Sequence, residues 1–162
     1  MIEIREAVPT DVDVILAFIR GLARYEKAED EVVATTDDLA DALFGQTAKT
    51  RCLIAESDGT AVGFALFFYN FSTWTGRYGI YLEDLFVGEE HRGTGAGFAL
   101  MERLAQIAVS EGCTRFEWSV LDWNKPSIDF YESLGAEAQS EWIGYRMSGN
   151  ALRQLAGPAH ED

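Results

Sequence analysis

The stretch whose residue types point most directly to chemistry is Arg92-Gly93-Thr94-Gly95-Ala96-Gly97, an R-x-x-G-x-G pattern. It stands between an apolar run ending at Val87 and an amphipathic segment reaching Glu111. A glycine loop between a strand and a helix gathers unpaired backbone N–H groups and the positive end of a helix dipole at one point, which suits a pyrophosphate. Glycine matters because a Cβ would keep the backbone from closing on phosphate oxygens. Two common phosphate patterns do not fit. A P-loop ends in Gly-Lys-Ser/Thr, where this chain has Gly97-Phe98-Ala99, and a dinucleotide fingerprint begun at Gly93 needs glycine where Phe98 stands. The plain alternative is a turn that only starts a helix.

The elements that must position this loop follow from periodicity. Ile2–Arg5 alternates as a first strand, and Pro9-Thr10-Asp11 opens a helix capped by Thr10, with Val12, Ile15, Leu16, Ile19, Leu22 and Ala23 on one face. Residues 25–31 form an acidic stretch, read either as a solvated loop or as a lip that attracts a cation. A short helix over 36–43 is capped by Thr36. Strands over 51–56 and 61–69 flank a hairpin turn at Ser57-Asp58-Gly59-Thr60, and an aromatic loop runs from Asn70 to Gly79. The strand Ile80–Val87 and a helix over 95–111 bracket the glycine loop, and Gly112 ends that helix. A strand over 115–121 follows, then a helix with Pro126 at its first position, running to about Leu134 before Gly135. Closing strands are expected over 136–139 and 142–148, and the tail over 149–162 as a short helix at most, then disorder. Hairpins among the strand–helix alternations indicate a mixed α/β sheet rather than a doubly wound one.

At 162 residues the chain suits one domain over 1–162 with a full core. Its formal charge of −14 repels nucleic acid and draws in polycationic small molecules. No apolar run reaches spanning length and the N-terminus lacks a signal-peptide design, so no membrane role and a cytoplasmic setting are expected. Cys52 and Cys113 lack metal-ligand spacing and read as buried hydrophobes. With His91 and His160 as the only histidines, a histidine-rich metal site is not on offer, and no metal is expected.

Four separate blocks carry a family resemblance across nearly the whole chain: Leu22-Ala23-Arg24-Tyr25-Glu26, Tyr81-Leu82-Glu83-Asp84-Leu85-Phe86-Val87, Arg92–Gly97, and Trp123-Asn124-Lys125-Pro126-Ser127-Ile128-Asp129-Phe130-Tyr131. Together they resemble the GCN5-related N-acetyltransferases (GNAT), and within them the diamine (spermidine/spermine) N-acetyltransferases and their thialysine-acetylating relatives. The resemblance implies the GNAT fold: a mixed, mostly antiparallel twisted sheet with splayed central parallel strands and helices on both faces. It also implies acetyl-CoA as cosubstrate, a small cationic amine as acceptor, and a homodimer.

In that resemblance Glu83 is the general base, working through water, and Tyr131 the general acid for the departing thiolate. A phenol, with an ordinary pKa of about 10, keeps its proton at neutral pH and so has one to give. Backbone groups at Leu85, Phe86 and Val87 are expected to bond the pantetheine arm, with Gly93, Thr94, Gly95, Ala96, Gly97 and Phe98 at the pyrophosphate. Arg92 supplies a cation near the phosphate, a salt bridge to Glu89 or Glu90 being its plain alternative. Asn124 and Ser127 contact the pantetheine or the far end of the cofactor. Tyr25, Glu26, Asp84 and Asp122, with Glu83 and Tyr145, form an anionic and aromatic acceptor pocket. Two departures bear on the acceptor. Tyr145 stands where the family commonly has tryptophan, and Ser72 lies near a usual acidic position. The expected activity is acetylation of a polyamine; a thialysine-type amino acid, a basic peptide and a non-catalytic CoA sensor are the rivals.

Overall fold

Alternating apolar residues and β-branched or aromatic content give five strands in the computed structural model, which describes residues 1–158. They are β1 (Ile2–Glu6), β2 (Thr50–Ser57), β3 (Thr60–Ser72), β4 (Arg77–Val87) and β5 (Phe116–Trp118). The sheet order is β1-β2-β3-β4-β5, antiparallel up to β4 and parallel between β4 and β5. Among the described residues, five α-helices accompany them: α1 (Val12–Tyr25), α2 (Thr36–Phe44), α3 (Ala96–Ser110), α4 (Lys125–Ser133) and α5 (Gly149–Ala156). The chain divides after Leu121 into two compact units. The first holds the sheet and α1–α3; the second holds α4 and α5.

In the first unit, Val12, Ile15 and Leu16 of α1 and Leu39 of α2 pack on Cys52, Ile54, Phe64 and Leu66. Alternation sends Leu53, Ala65 and Phe67 to the opposite face, the side on which α3 crosses β1–β4. Leu100 and Leu104 of α3 are fully buried, as are Phe64 and Phe67. Each such side chain contributes roughly 1.5–3 kcal/mol relative to exposure. The β2–β3 hairpin turns at Asp58 (φ 51°) and Gly59 (φ 78°), the pair of positive φ values that a type I′ turn requires.

The structure departs from the sequence pattern at several element ends. Thr10 does not cap α1. A 3-10 turn over Pro9–Asp11 precedes the helix, and Asp11 accepts the backbone N–H of Val8 (2.8 Å) and both terminal nitrogens of Arg5 (2.7 and 2.9 Å). The Arg5 Nε–H is donated to Glu56 (2.7 Å), so one guanidinium ties β1, β2 and the entry to α1. Thr35, not Thr36, caps α2, because its hydroxyl accepts the Asp38 N–H while Asp38 accepts the Thr35 N–H. The aromatic stretch 70–79 is no loop. Both strands extend into it and leave only a tight turn before Arg77. The strand over 115–121 shrinks to three residues, and Pro126 is the second rather than the first residue of α4. Cys52 is buried as expected, whereas Cys113 is only half-buried.

The closing strands over 136–139 and 142–148 do not form; those residues have no regular secondary structure. Trp142, Ile143 and Tyr145 have strand propensity, but a strand forms only where its N–H and C=O groups find a ladder. The described residues of the second unit contain no strand. Of the tail, 149–156 is helix α5, and 159–162 lie outside the described residues.

Candidate active site

Strand β4 carries an irregularity at the residue of greatest chemical interest. Its register with β3 pairs Asp84 with Leu66 and Leu82 with Phe67, which leaves Glu83 as the extra residue of a β-bulge. Directly opposed residues share a face, so Asp84 and Phe86 join Leu66 and Phe64 on the α1 side, whereas Leu82 joins Phe67 on the α3 side. Residues two apart, Leu82 and Asp84, therefore face opposite ways. Glu83, at the switch, is exposed. The parallel ladder to β5 has only the pairs Ile80↔Phe116, Tyr81↔Glu117 and Leu82↔Trp118. Beyond it, β4 continues along β3 as far as Val87 with no β5 partner, so the two parallel strands part at the bulge.

The glycine loop follows β4 through a 3-10 turn over Glu89–His91. Gly93 (φ 77°) and Gly95 (φ 88°) hold left-handed conformations, and a Cβ built on either meets no atom within 4 Å. The loop is thus bent by backbone need and open on its outer side. Gly95 is the N-cap of α3 and no side chain caps it, which leaves the first-turn N–H groups for an anion. The Thr94 hydroxyl is donated to the His91 carbonyl (2.6 Å). Arg92 does not pair with Glu89 or Glu90. Its Nε–H goes to the Val87 carbonyl (3.3 Å), and its guanidinium lies 5.0 Å from the Tyr25 ring centre and 5.9 Å from that of Phe86.

On the α1 side, a cavity of about 210 Å³ is lined by Ile19, Leu22, Ala23, Glu26, Ala28, Glu31, Val32 and Asp84. Burial is the main reason the Asp84 carboxyl is pushed up to about 6, with the charges of Glu83 and Glu26 adding to it. Burial also raises Glu26. Of the expected acceptor residues Tyr25, Glu26 and Asp84, the structure brings the latter two into one cavity. Glu31, which the sequence marks only as part of the acidic stretch over 25–31, is folded back beside them by the 3-10 turn Glu29–Glu31. An adjoining groove is lined by Arg24, Lys27, Ala28, Glu29, Asp30 and Glu31, with Arg24 paired to Glu29 (2.8 Å).

In the second unit, Asn124 caps α4 by accepting the Ser127 N–H (3.4 Å). Tyr131 lies on α4 with its ring 5.5 Å from that of Phe130, Asp122 is exposed, and Tyr145 is 96% exposed in the irregular segment. Among the described residues, no group of three or more His, Cys, Asp or Glu is arranged to hold a metal ion.

A splayed parallel pair, an uncapped glycine-loop helix and an acidic cavity define an acyltransferase-type architecture, and comparison with known proteins gives the family. The model of the acetyltransferase (GNAT) family matches residues 15–136, and the chain belongs to this family. It is an N-acetyltransferase, and members of the family use acetyl-CoA as cosubstrate. It is 41% identical to the thialysine N-epsilon-acetyltransferase of Sus scrofa, over 95% of this chain and 96% of that one. It is 34% identical to the spermidine/spermine N(1)-acetyltransferase-like protein 1 of Homo sapiens, over 95% of this chain and 24% of that protein. Among solved structures, an integron cassette protein from the mobile metagenome of V. cholerae matches with a TM-score of 0.80 and 31% identity, over 97% of this chain and 98% of that one.

Proposed function

We propose that this enzyme moves the acetyl group of acetyl-CoA to the side-chain amine of a lysine-like amino acid of the thialysine type. The observation that carries the acceptor class is the mixed charge around the cavity. Glu26, Glu31 and Asp84 suit an α-ammonium, and Lys27 in the adjoining groove, where Arg24 is already paired with Glu29, suits the α-carboxylate beside it. The likeness to the Sus scrofa enzyme supports the same reading.

The amine nitrogen attacks the thioester carbon, the C–S bond breaks, and the amine's proton leaves through water to Glu83. Tyr131 returns a proton to the CoA thiolate. The N–H groups of the glycine loop and first helical turn over 93–98 and Arg92 hold the pyrophosphate, and the β4 backbone at Leu85–Val87, which pairs with β3 but has no β5 partner, lies along the pantetheine arm, with Asn124 and Ser127 as further cofactor contacts. Tyr25 flanks the acceptor; Asp122 and Tyr145 are further acceptor contacts in this reading. Because one family model runs across the division at Leu121, we read both units as one acetyltransferase domain. Family resemblance adds a homodimer and a cytoplasmic setting.

A polyamine is the second reading, favoured by three carboxylates at one cavity. CoA-thiol release with thialysine, lysine, ornithine, putrescine, spermidine and spermine separates the two. The expected result is the highest kcat/KM on thialysine, with Lys27→Glu raising its KM about tenfold, as loss of a charge pair does. Highest turnover on spermidine or spermine would establish the polyamine reading instead.

A further inference from the structure

Aromatic rings and one guanidinium form a continuous column from the core to the glycine loop. Phe64 stacks on Phe18 (5.7 Å), Phe18 meets Phe86 (6.0 Å), and the Arg92 guanidinium lies over both Phe86 (5.9 Å) and Tyr25 (5.0 Å). Both cation–ring distances fall within the range of attraction. Tyr25 is the last residue of α1, and Glu26, next in the chain, lines the acidic cavity. Arg92 opens the glycine loop and is fixed to the end of β4 through the Val87 carbonyl. One side chain thus joins the segment that carries acceptor carboxylates to the segment that carries the phosphate-binding N–H groups.

We propose that Arg92 is a positioning residue that couples the two substrate sites: its stack on Tyr25 holds the glycine loop and the C-terminal end of α1 in one arrangement, so each site's affinity depends on the other's residues. This rests on the placement of acetyl-CoA and acceptor given above. The bond to Val87 uses the Nε–H, and a guanidinium has further N–H donors for a diphosphate while its face stays on the ring. Coupling between sites is reciprocal, so both directions are measurable.

The test measures acetyl-CoA Kd by calorimetry without acceptor, and acceptor KM at saturating acetyl-CoA. Tyr25→Leu, although on the acceptor side, is expected to weaken acetyl-CoA binding about fivefold, in the range of a lost cation–ring contact. Tyr25→Phe keeps the ring and holds that Kd within about twofold. Arg92→Gln raises the acceptor KM by a similar factor, and the double variant Arg92→Gln/Tyr25→Leu binds acetyl-CoA no more weakly than Arg92→Gln alone. An unchanged Kd in Tyr25→Leu, or losses that multiply in the double variant, would overturn the coupling while leaving the acetyltransferase reading intact. Wild-type enzyme that failed to bind acetyl-CoA would overturn both.

Discussion

Asp84 and Asp11 are carboxylates withdrawn from solvent, and their surroundings send them in opposite directions. Asp11 has the Arg5 guanidinium and the Val8 N–H, which hold its carboxyl below the usual range. Its folded pKa is depressed, so its stabilisation is present at neutral pH and fades as pH falls below about 4. Asp84 has burial and two neighbouring carboxylates, so its folded pKa, about 6, lies above the unfolded value. The fold therefore binds the extra proton, and stability lost to its charge at pH 7 returns as pH drops from about 6 to about 4. Asp84→Asn should raise stability at pH 7 by about 1–3 kcal/mol, read as a higher Tm, and should raise acceptor KM. A lower Tm would mean that Asp84 has a stabilising partner. The sequence marks Asp84 as an acceptor-site carboxylate but cannot supply its burial, because Ile19, Leu22 and Val32, which wall the cavity, come from segments far from it in the chain.

At the scale of elements, the legible parts are those with a local cause. The glycine loop, the apolar face of α3 and the β2–β3 turn are readable from spacing, since each depends on neighbours in sequence. The bulge at Glu83 is not, because it exists only as a mismatch in register with β3, a separate strand. The closing strands are missing for a related reason: propensity at Trp142–Met147 says nothing of where a ladder partner lies. Packing between elements is testable at Gly21. In a helix interior alanine is favoured over glycine by about 1 kcal/mol, so Gly21→Ala should stabilise α1 if only propensity counted. A Cβ there would stand 2.8 Å from the Phe86 Cζ and 3.0 Å from its Cε1, so the ring must move from its place beside Phe18. The expected result is a net loss of about 1–2 kcal/mol and a Tm lower by several degrees. A raised Tm would show that the ring yields without cost.

At the scale of the molecule, the formal charge of −14 works differently on the two substrates. Acetyl-CoA, an anion, approaches against the overall field and, in the proposed reading, is held by the local positive end of α3 and by Arg92. A cationic acceptor approaches with the field, and its encounter rate gains from steering that salt removes. From about 0.01 M to about 1 M ionic strength the Debye length shrinks from about 30 Å to about 3 Å. Spermidine, with several ammonium groups and no carboxylate, should then lose about tenfold or more in kcat/KM if capture limits its turnover. Thialysine carries a carboxylate that offsets one of its ammonium groups, so its kcat/KM should change much less over the same range. Measured on both acceptors at saturating acetyl-CoA, this contrast separates attraction by the whole surface from recognition at the cavity. A flat response for both would place recognition in short-range contacts with Glu26, Glu31 and Asp84, and the excess acidic charge would then serve solubility alone.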